Sequence, residues 1–538
     1  MRTDSLPIEQ LPHVSQLFKD YLLHFDKVRE FYPYPPFNPS TLSTSAASLN
    51  YPDNRRQRVA DILEKQNKSW GGGEKTIANI AHFRAGAHAI VTGQQVSLFG
   101  GPLFSFLKAI SVAKLAAETM EGGGIAAVPI FWLATEDHDV AEVSSATLLT
   151  RSELRTLTVP SHSPENTPVS AVQFGEAANN DISAIVAEAG ALLGDSEISD
   201  LLKQFYVPGA NFGDAFAQVF TRLFADFGII FLDPSDPELH SIAKPIYRAS
   251  VERCNRLTSA LLNRCKHLEE AGYHAQVKVT PASTLLFAQV DGVRTPVHHS
   301  HDAFTIGPET LSRDQLLGRI EVRPEDFSAN VLMRPIVQDF LLPTLAYVGG
   351  PSEIAYFAQA SVVYKDLLGK VTPILPRLSA TLIEPHVAQK LERYKLSLSD
   401  VFPGLEQLRT LLAKHSLPAS LSLQFKNAKS ELAASLALLT ASLQQLDPTL
   451  VDAAKHAQSK MIYQLETLES RSASAELRKH ADIGRHAEQL VNSLYPHKDL
   501  QERGIAGIYF LARHGKPLLN ELYQSAKTNC ADHQIFYL

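Results

Sequence analysis

Cysteine is nearly absent from this 538-residue chain, which has Cys254, Cys265 and Cys530 and no CxxC pair. That scarcity excludes a disulfide framework and a cysteine-based structural zinc site, and a reducing cytoplasm is the compartment that fits. An excess of either charge is also missing. The chain carries 50 basic and 57 acidic side chains, well mixed, for a formal net charge of -7. Phosphate backbones select broad cationic surfaces, so nucleic acid is not an expected partner. Long apolar runs are lacking as well. The N-terminal region alternates charges with short apolar stretches, unlike a signal peptide. The longest apolar stretch, Gly122 to Thr135, is too short to cross a bilayer, so no membrane partner is expected. No dinucleotide GxGxxG fingerprint, Walker A element or convincing HExxH spacing is present. The neighbouring His298, His299 and His301 therefore read as a surface loop rather than a metal cluster. Cys254 and Cys265, in a helical stretch, read as small buried apolar residues.

What is present is the balance of a globular protein, 45% hydrophobic and 20% charged, in a chain too long for one core. Two or more domains are expected. Val14, Leu17, Phe18, Tyr21, Leu22 and Phe25 recur at helical spacing until FYPYPP, from Phe31, stops the helix and starts an extended arm. From about Ala87 short apolar runs end in glycine or acidic clusters and lead into helical periodicity. AHAIVTG, VPIFWLA, GIIFLDP and TLAYVGGP share this grammar, and together they predict a doubly wound α/β sheet with ligands beyond the carboxyl ends of its strands. Residues 141–211 and 246–316 fit the sheet poorly and read as insertions; LRTLTVP, in the first, is β-prone. After about Glu384 the chain turns helical. Phe425 to Leu446 and Leu450 to Leu468 each step by three or four, broken at Asp447 and Pro448, as in an antiparallel helical hairpin. The pattern leaves open whether the hairpin packs only on its own core or recruits a second copy.

Three constellations can carry chemistry. VTGQQVSLFGGPL places Thr92, Gly93, Gln94 and Gln95 after a strand, and Gly100, Gly101 and Pro102 before a helix, where free amides can hold an anion. A second GGP, at Gly349, Gly350 and Pro351, again joins strand to helix, with Glu353 in the first turn. Two such loops predict two helix N-termini at one sheet edge. TEDHD gathers Glu136, Asp137, His138 and Asp139 at the end of a central strand, where acids that shift one another's pKa can bind magnesium, hold an ammonium group or supply a base. Finally, Arg334, Gln338, Asp339, Tyr347 and Gln359 lie in one run around the second GGP, and an arginine there suits phosphates or carboxylates. Arg377, in ILPRLS, is open to the same reading.

The strings TGQQxxLFGGPL, FWLATEDHDxxE ending at Glu142, RPxVQDxLLPTxAYVGGPxExAYFAQ, PILPR and LQER resemble, in order and over essentially the whole chain, the bacillithiol biosynthesis cysteine-adding enzymes, the BshC family. The resemblance implies a Rossmann-like core of nucleotidyltransferase type with connecting-peptide insertions, and an α-helical antiparallel coiled-coil domain that forms homodimers. The expected division is 1–383 for the core with its insertions, 384–495 for the coiled coil and 496–538 for a segment returning to the core. The implied activity is a ligase reaction adding cysteine to glucosaminyl malate, the last step of bacillithiol synthesis. The loop at Thr92, Gly93, Gln94, Gln95, Gly100 and Gly101, the cluster Glu136 to Asp139, and Asp339, Tyr347, Gly349, Gly350 and Glu353 become the expected pocket, with Arg334 as a further binding residue. Because a carboxylate needs activation before it forms an amide in water, ATP is an expected co-reactant and Mg2+ a possible one. Two departures stand out. The HxGH element of nucleotidyltransferase relatives is replaced by LFGGP, and Ser97 stands where a glycine is expected. A nucleotide-binding scaffold that recruits a separate catalyst, and a nucleotidyltransferase acting on another small acid or sugar, are the rival readings.

Overall fold

The structure is a computed structural model that describes residues 1–150, 153–161, 163–175, 181–300, 303–479 and 481–538. Its contacts separate the chain into two compact units. The first comprises Met1–Leu148, Arg155–Thr381 and Glu502–Phe536, and the second Leu149–Leu154, Leu382–Gln501 and Tyr537–Leu538.

The first unit contains ten strands of interest: β1 (His88–Gln94), β2 (Ala127–Leu133), β3 (Ile230–Leu232), β4 (Ser283–Val290), β5 (Val293–Ser300), β6 (Ala303–Ile306), β7 (Glu309–Ser312), β8 (Phe327–Ala329), β9 (Thr344–Gly349) and β10 (Ile374–Pro376). Five of them make a parallel sheet in the order β10-β9-β1-β2-β3. All seven residues of β2 are buried, as its unbroken apolar run requires of a central strand. The chain winds from β1 out to β3 and then returns to the other side of β1 for β9 and β10. That reversal makes the crevice beyond the ends of β1 and β9 the topological switch point, where open α/β sheets bind ligands.

Helices between the strands bury the sheet: α1 (Asp53–Ser69), α2 (Leu103–Gly123), α3 (Phe212–Leu223), α4 (Pro237–Glu252), α5 (Arg334–Leu341) and α6 (Pro351–Leu368). Ile90, Leu345 and Val348 of the sheet pack with Val112 and Ala116 of α2. Phe131 and Phe231 pack with Phe216 and Phe220 of α3. The N-terminal helix, Gln16–Leu23, and the arm after it are pinned to this core by hydroxyls, Tyr21 donating to the Ile374 carbonyl and Tyr32 to the Ile354 carbonyl.

The insertions depart in detail from their sequence reading. The first holds short strands, Ser145–Leu149 and Leu154–Thr158, but also two helices, Ile182–Leu193 and Glu197–Phe205, the latter burying Ile198, Leu201, Leu202 and Phe205 on one face. The second opens with helix, through the end of α4 and Cys254–Glu270, as the helical stretch around the two cysteines predicts, before an antiparallel sheet ordered β7-β6-β5-β4-β8. This sheet reaches Ala329, beyond the expected end at 316, because Phe327–Ala329 pairs with β4; three residues carry too little periodicity to be read as a strand. His298 and His299 lie in β5 and not in a surface loop, and His299 is buried. His301 lies outside the described residues.

In the second unit α7 (Ala419–Leu446) and α8 (Leu450–Lys479) form the expected hairpin. Asp447 accepts the Thr449 amide at the bend. Lys429 and Glu469, nearly equidistant from the bend, pair at 2.7 Å, which fixes the antiparallel register. Leu439, Leu446, Met461 and Leu468 on the stepping faces stay 52%, 77%, 45% and 54% exposed, and Leu438 and Tyr463 beside them 74% and 63%, so these apolar side chains are not covered by the described residues.

Candidate active site

A cavity of about 660 Å³ opens at the switch point, with Gly93, Gln94 and Gln95 from the end of β1, Trp132, Ala134 and the acidic loop from the end of β2, and Tyr347 and Gly350 from the end of β9. The inserted sheet adds Phe287 and Arg294, and the C-terminal segment adds Arg503. One end is acidic. Glu136 sits in the wall with His240 Nε2 3.4 Å from its Oε1. Burial, with Asp233 nearby, outweighs Arg294 and Arg334 and pushes Glu136 up to about 8. Burial also pushes His240 down to about 4, so its imidazole is neutral at physiological pH. Gln95 bridges the other acids, its Nε2 donating to Asp137 Oδ2 at 2.8 Å and to Glu142 Oε2 at 2.9 Å.

Cations line the same cleft. Lys108, on the buried face of α2, donates to the Gly93 carbonyl at 2.7 Å and to Gln94 Oε1 at 3.0 Å, and pairs with Glu353 Oε2 at 2.6 Å. Its ammonium thus has three acceptors. Glu353 also receives the Tyr347 hydroxyl at 2.6 Å and the Gly350 amide at 2.7 Å. Burial works against this carboxylate, but Lys108 and the Gly350 amide hold it ionised and below the usual range. Arg334 is anchored by neutral groups, donating to Gln338 Oε1 at 2.9 Å, Tyr356 Oη at 2.8 Å and Tyr347 Oη at 3.3 Å. Neither Arg334 nor Arg503 forms an ion pair among the described residues, whereas Arg377 is neutralised by buried Glu502 at 2.6 Å. Both Arg377 and Arg503 lie over the Phe104 ring. Gly93 must be small here, because a Cβ would come within 3.2 Å of the Tyr347 hydroxyl.

The structure therefore brings Gly93, Gln94, Gln95, Glu136, Asp137, His138, Arg334, Tyr347, Gly350 and Glu353 to one cleft. Six expected residues do not line it. Thr92 is buried and donates to the Val348 carbonyl, tying β1 to β9. Asp139 is exposed and caps the short helix Val140–Val143. Asp339 is buried, accepting from Tyr364 at 2.6 Å and Gln338 at 2.9 Å. Gly349 gives its carbonyl to the Arg377 amide.

Gly100 and Gly101 correct the expected anion loop. The Gly100 amide is taken by the Ser97 carbonyl and Tyr206 hydroxyl, Gly101 by Leu98 and Leu103 by Ile505. Both glycines have positive φ, +84° and +73°, and a Cβ at Gly100 would fall 2.8 Å from Phe220. This loop is a tight packing turn whose glycine amides are already taken. At the second GGP the Gly350 amide is occupied by Glu353 itself. The cations that line the cleft are Lys108, Arg294, Arg334, Arg377 and Arg503.

Sequence reasoning passed over Lys108, Tyr356, Arg294 and Arg503. Lys108 left a trace, a single cation on the apolar helix face of Leu103, Phe106, Leu107 and Ile110. Arg294 left none. Among the described residues no group of three or more His, Cys, Asp or Glu is arranged to hold a metal ion, and no helix is long and apolar enough to cross a membrane.

Fold and cleft together define a Rossmann-like α/β protein with a polar switch-point site and a separate coiled-coil domain. Residues 1–378 match the family described as "Bacillithiol biosynthesis BshC, N-terminal Rossmann-like domain", and residues 380–538 match its "C-terminal coiled-coil domain". The chain is 44% identical to a Koribacter versatilis protein named "Putative cysteine ligase BshC", over 99% of both chains. Proteins of the same name from Solibacter usitatus and Geobacillus thermodenitrificans are 34% and 28% identical, each over at least 98% of both chains. The chain belongs to the BshC family of bacillithiol biosynthesis.

Proposed function

We propose that this protein is a cysteine ligase that condenses cysteine with glucosaminyl malate in the cytoplasm, using ATP to activate the cysteine carboxyl group. The observation that carries this reading is that a perturbed acid and unpaired cations line one cleft. A glutamate held near neutrality lines the cleft together with Arg334 and Arg503, neither of which forms an ion pair among the described residues. Amide formation between an amine and an activated carboxyl needs a proton acceptor and cations for phosphate or carboxylate. ATP, as substrate, supplies the leaving group by converting the carboxylate to an adenylate or acyl phosphate, with Mg2+ carried on its phosphates. Arg334 and Arg503 meet the anionic groups, phosphate or malate carboxylate. Glu136 accepts the proton of the attacking glucosamine nitrogen, and Asp137 with Glu142, bridged by Gln95, holds that nitrogen before attack. Exposed apolar residues on α7 and α8 pair two copies into a homodimer.

The test is mass spectrometry of the purified chain incubated with cysteine, glucosaminyl malate, ATP and magnesium. The expected products are bacillithiol and either AMP or ADP, the nucleotide naming the activation chemistry. A folded, ATP-binding protein that forms no amide would refute the ligase reading and favour a scaffold that recruits another catalyst.

A further inference from the structure

The bond between Arg294 and His138 fixes a proton as well as a ring. Arg294 stands on β5 of the inserted sheet with all its guanidinium nitrogens committed. Nε donates to Ser328 Oγ at 3.0 Å, Nη2 to the Ala329 carbonyl at 2.6 Å, and Nη1 lies 3.0 Å from His138 Nδ1. Phe287 covers the group, its ring centroid 4.0 Å from Cζ. A guanidinium has only donors, so Nδ1 must accept this bond and cannot carry a proton. A neutral imidazole with a bare Nδ1 carries its proton on Nε2.

The charged groups facing the ring are Arg294 from β5 and Asp137 and Asp139 from its own loop. The aspartates favour the imidazolium, but Asp137 Oδ1 is 3.7 Å from Nδ1, beyond hydrogen-bond reach, and already receives the His138 amide at 2.8 Å. Burial and Arg294 prevail and hold the ring below the usual histidine range. Nε2 has no hydrogen-bond partner among the described residues, and His138 lines the cleft with its side chain 29% exposed.

We infer that Arg294 is a positioning residue that locks His138 as a neutral, Nε2-protonated imidazole, which serves the cleft as a hydrogen-bond donor to an oxygen of the reacting carboxyl group and not as a base. This rests on the reading of the cleft as an amide-forming site. In the condensation the amine lone pair forms the C–N bond, and phosphate or AMP leaves with the C–O electron pair. The amine proton passes to Glu136. His138 keeps its own proton and offers it to the oxygen on which negative charge grows, a role that a neutral imidazole fills well.

Two measurements test the assignment. In full-length protein with 15N-labelled histidine, the His138 signals, identified by their loss in His138→Gln, should show a bare Nδ1 and a protonated Nε2 between about pH 6 and about pH 8, the ordinary imidazole range. In Arg294→Met the ring should titrate. An Nδ1-protonated ring or an imidazolium near neutrality in the unmodified protein would overturn the inference, whatever the protein's activity. In the condensation assay His138→Gln keeps an N–H near the Nε2 position and should stay within about 10-fold, while His138→Ala should lose about 100- to 1000-fold, as for an oxyanion donor. Equal loss in both variants points to a base and refutes the donor role. If the unmodified protein forms no amide, the ligase reading fails by itself and the resonance measurement still decides the tautomer.

Discussion

Replacing Glu136 by glutamine should make the protein more stable and inactive together, and the size of the gain should depend on pH. An ordinary glutamate has a pKa of 4.5, and in this fold burial lifts that of Glu136 to about 8. A carboxyl whose folded value lies above its unfolded value keeps a proton that the unfolded chain has released. Each rise in pH between those values therefore favours unfolding, and the penalty is complete above the upper one. At about 1.4 kcal/mol per tenfold change in proton activity, the penalty is under about 1 kcal/mol near pH 5 and about 5 kcal/mol near pH 9. Glutamine matches the shape of the protonated acid and does not ionise. The stability difference between Glu136→Gln and the unmodified chain should therefore grow by about 4 kcal/mol from about pH 5 to about pH 9. Trp70 and Trp132, the two tryptophans of the chain, both lie in the first unit, so fluorescence-detected urea unfolding reads the relevant transition. A difference that does not change with pH would refute the assignment of a protonated, buried Glu136. Condensation by the unmodified enzyme should rise with pH toward about 8 as the carboxylate base appears.

Lys108→Met should destabilise the first unit by about 3–5 kcal/mol, because it strands the buried Glu353 carboxylate, and Glu353→Gln in the same chain should recover part of the loss. A thermal-unfolding difference below about 1 kcal/mol would show that the pair is not buried as described. On the coiled coil, the double substitution Leu438→Glu and Leu446→Glu should convert a dimer to a monomer in sedimentation equilibrium without loss of helicity by circular dichroism, and an unchanged mass would place the self-association surface elsewhere.

The parts of this fold that could be read from sequence are those in which one local pattern has one structural solution. Seven consecutive apolar residues from Ala127 have to be a central strand, and the three- and four-residue steps from Phe425 have to be a helix. The strand at Ile374–Pro376 is three residues long and ends in proline, so it carries no period and becomes a strand only because β9 offers an edge. In the site, Glu136 to His138 were legible because ionisable residues closing an apolar strand sit where the sheet binds ligands. Arg294 was not, since its partner His138 is 156 positions away and nothing near Arg294 in β5 announces a site. The Gly100 loop misled for the same reason. Its amides are spent on Tyr206 and Ile505, partners far along the chain, so a tripeptide repeated at Gly349 takes different roles in its two settings.

That difference bears on how the cleft chooses its substrates. A helix N-terminus attracts anions through its unpaired amides, but just before α6 the Gly350 amide is taken by Glu353, which brings its own negative charge. Lys108 cancels that charge from α2, leaving the assembly of Gly350, Glu353 and Lys108 close to neutral. Glu502 cancels Arg377 in the same way. Among the described residues Arg334, held by Tyr347 and Tyr356, and Arg503, which lies over the Phe104 ring, form no ion pair. One fixed and one adjustable cation suit a reaction in which an anionic group must be gripped on entry and a different one must be released. A rigid backbone cradle would hold both equally and give no advantage to the transition state.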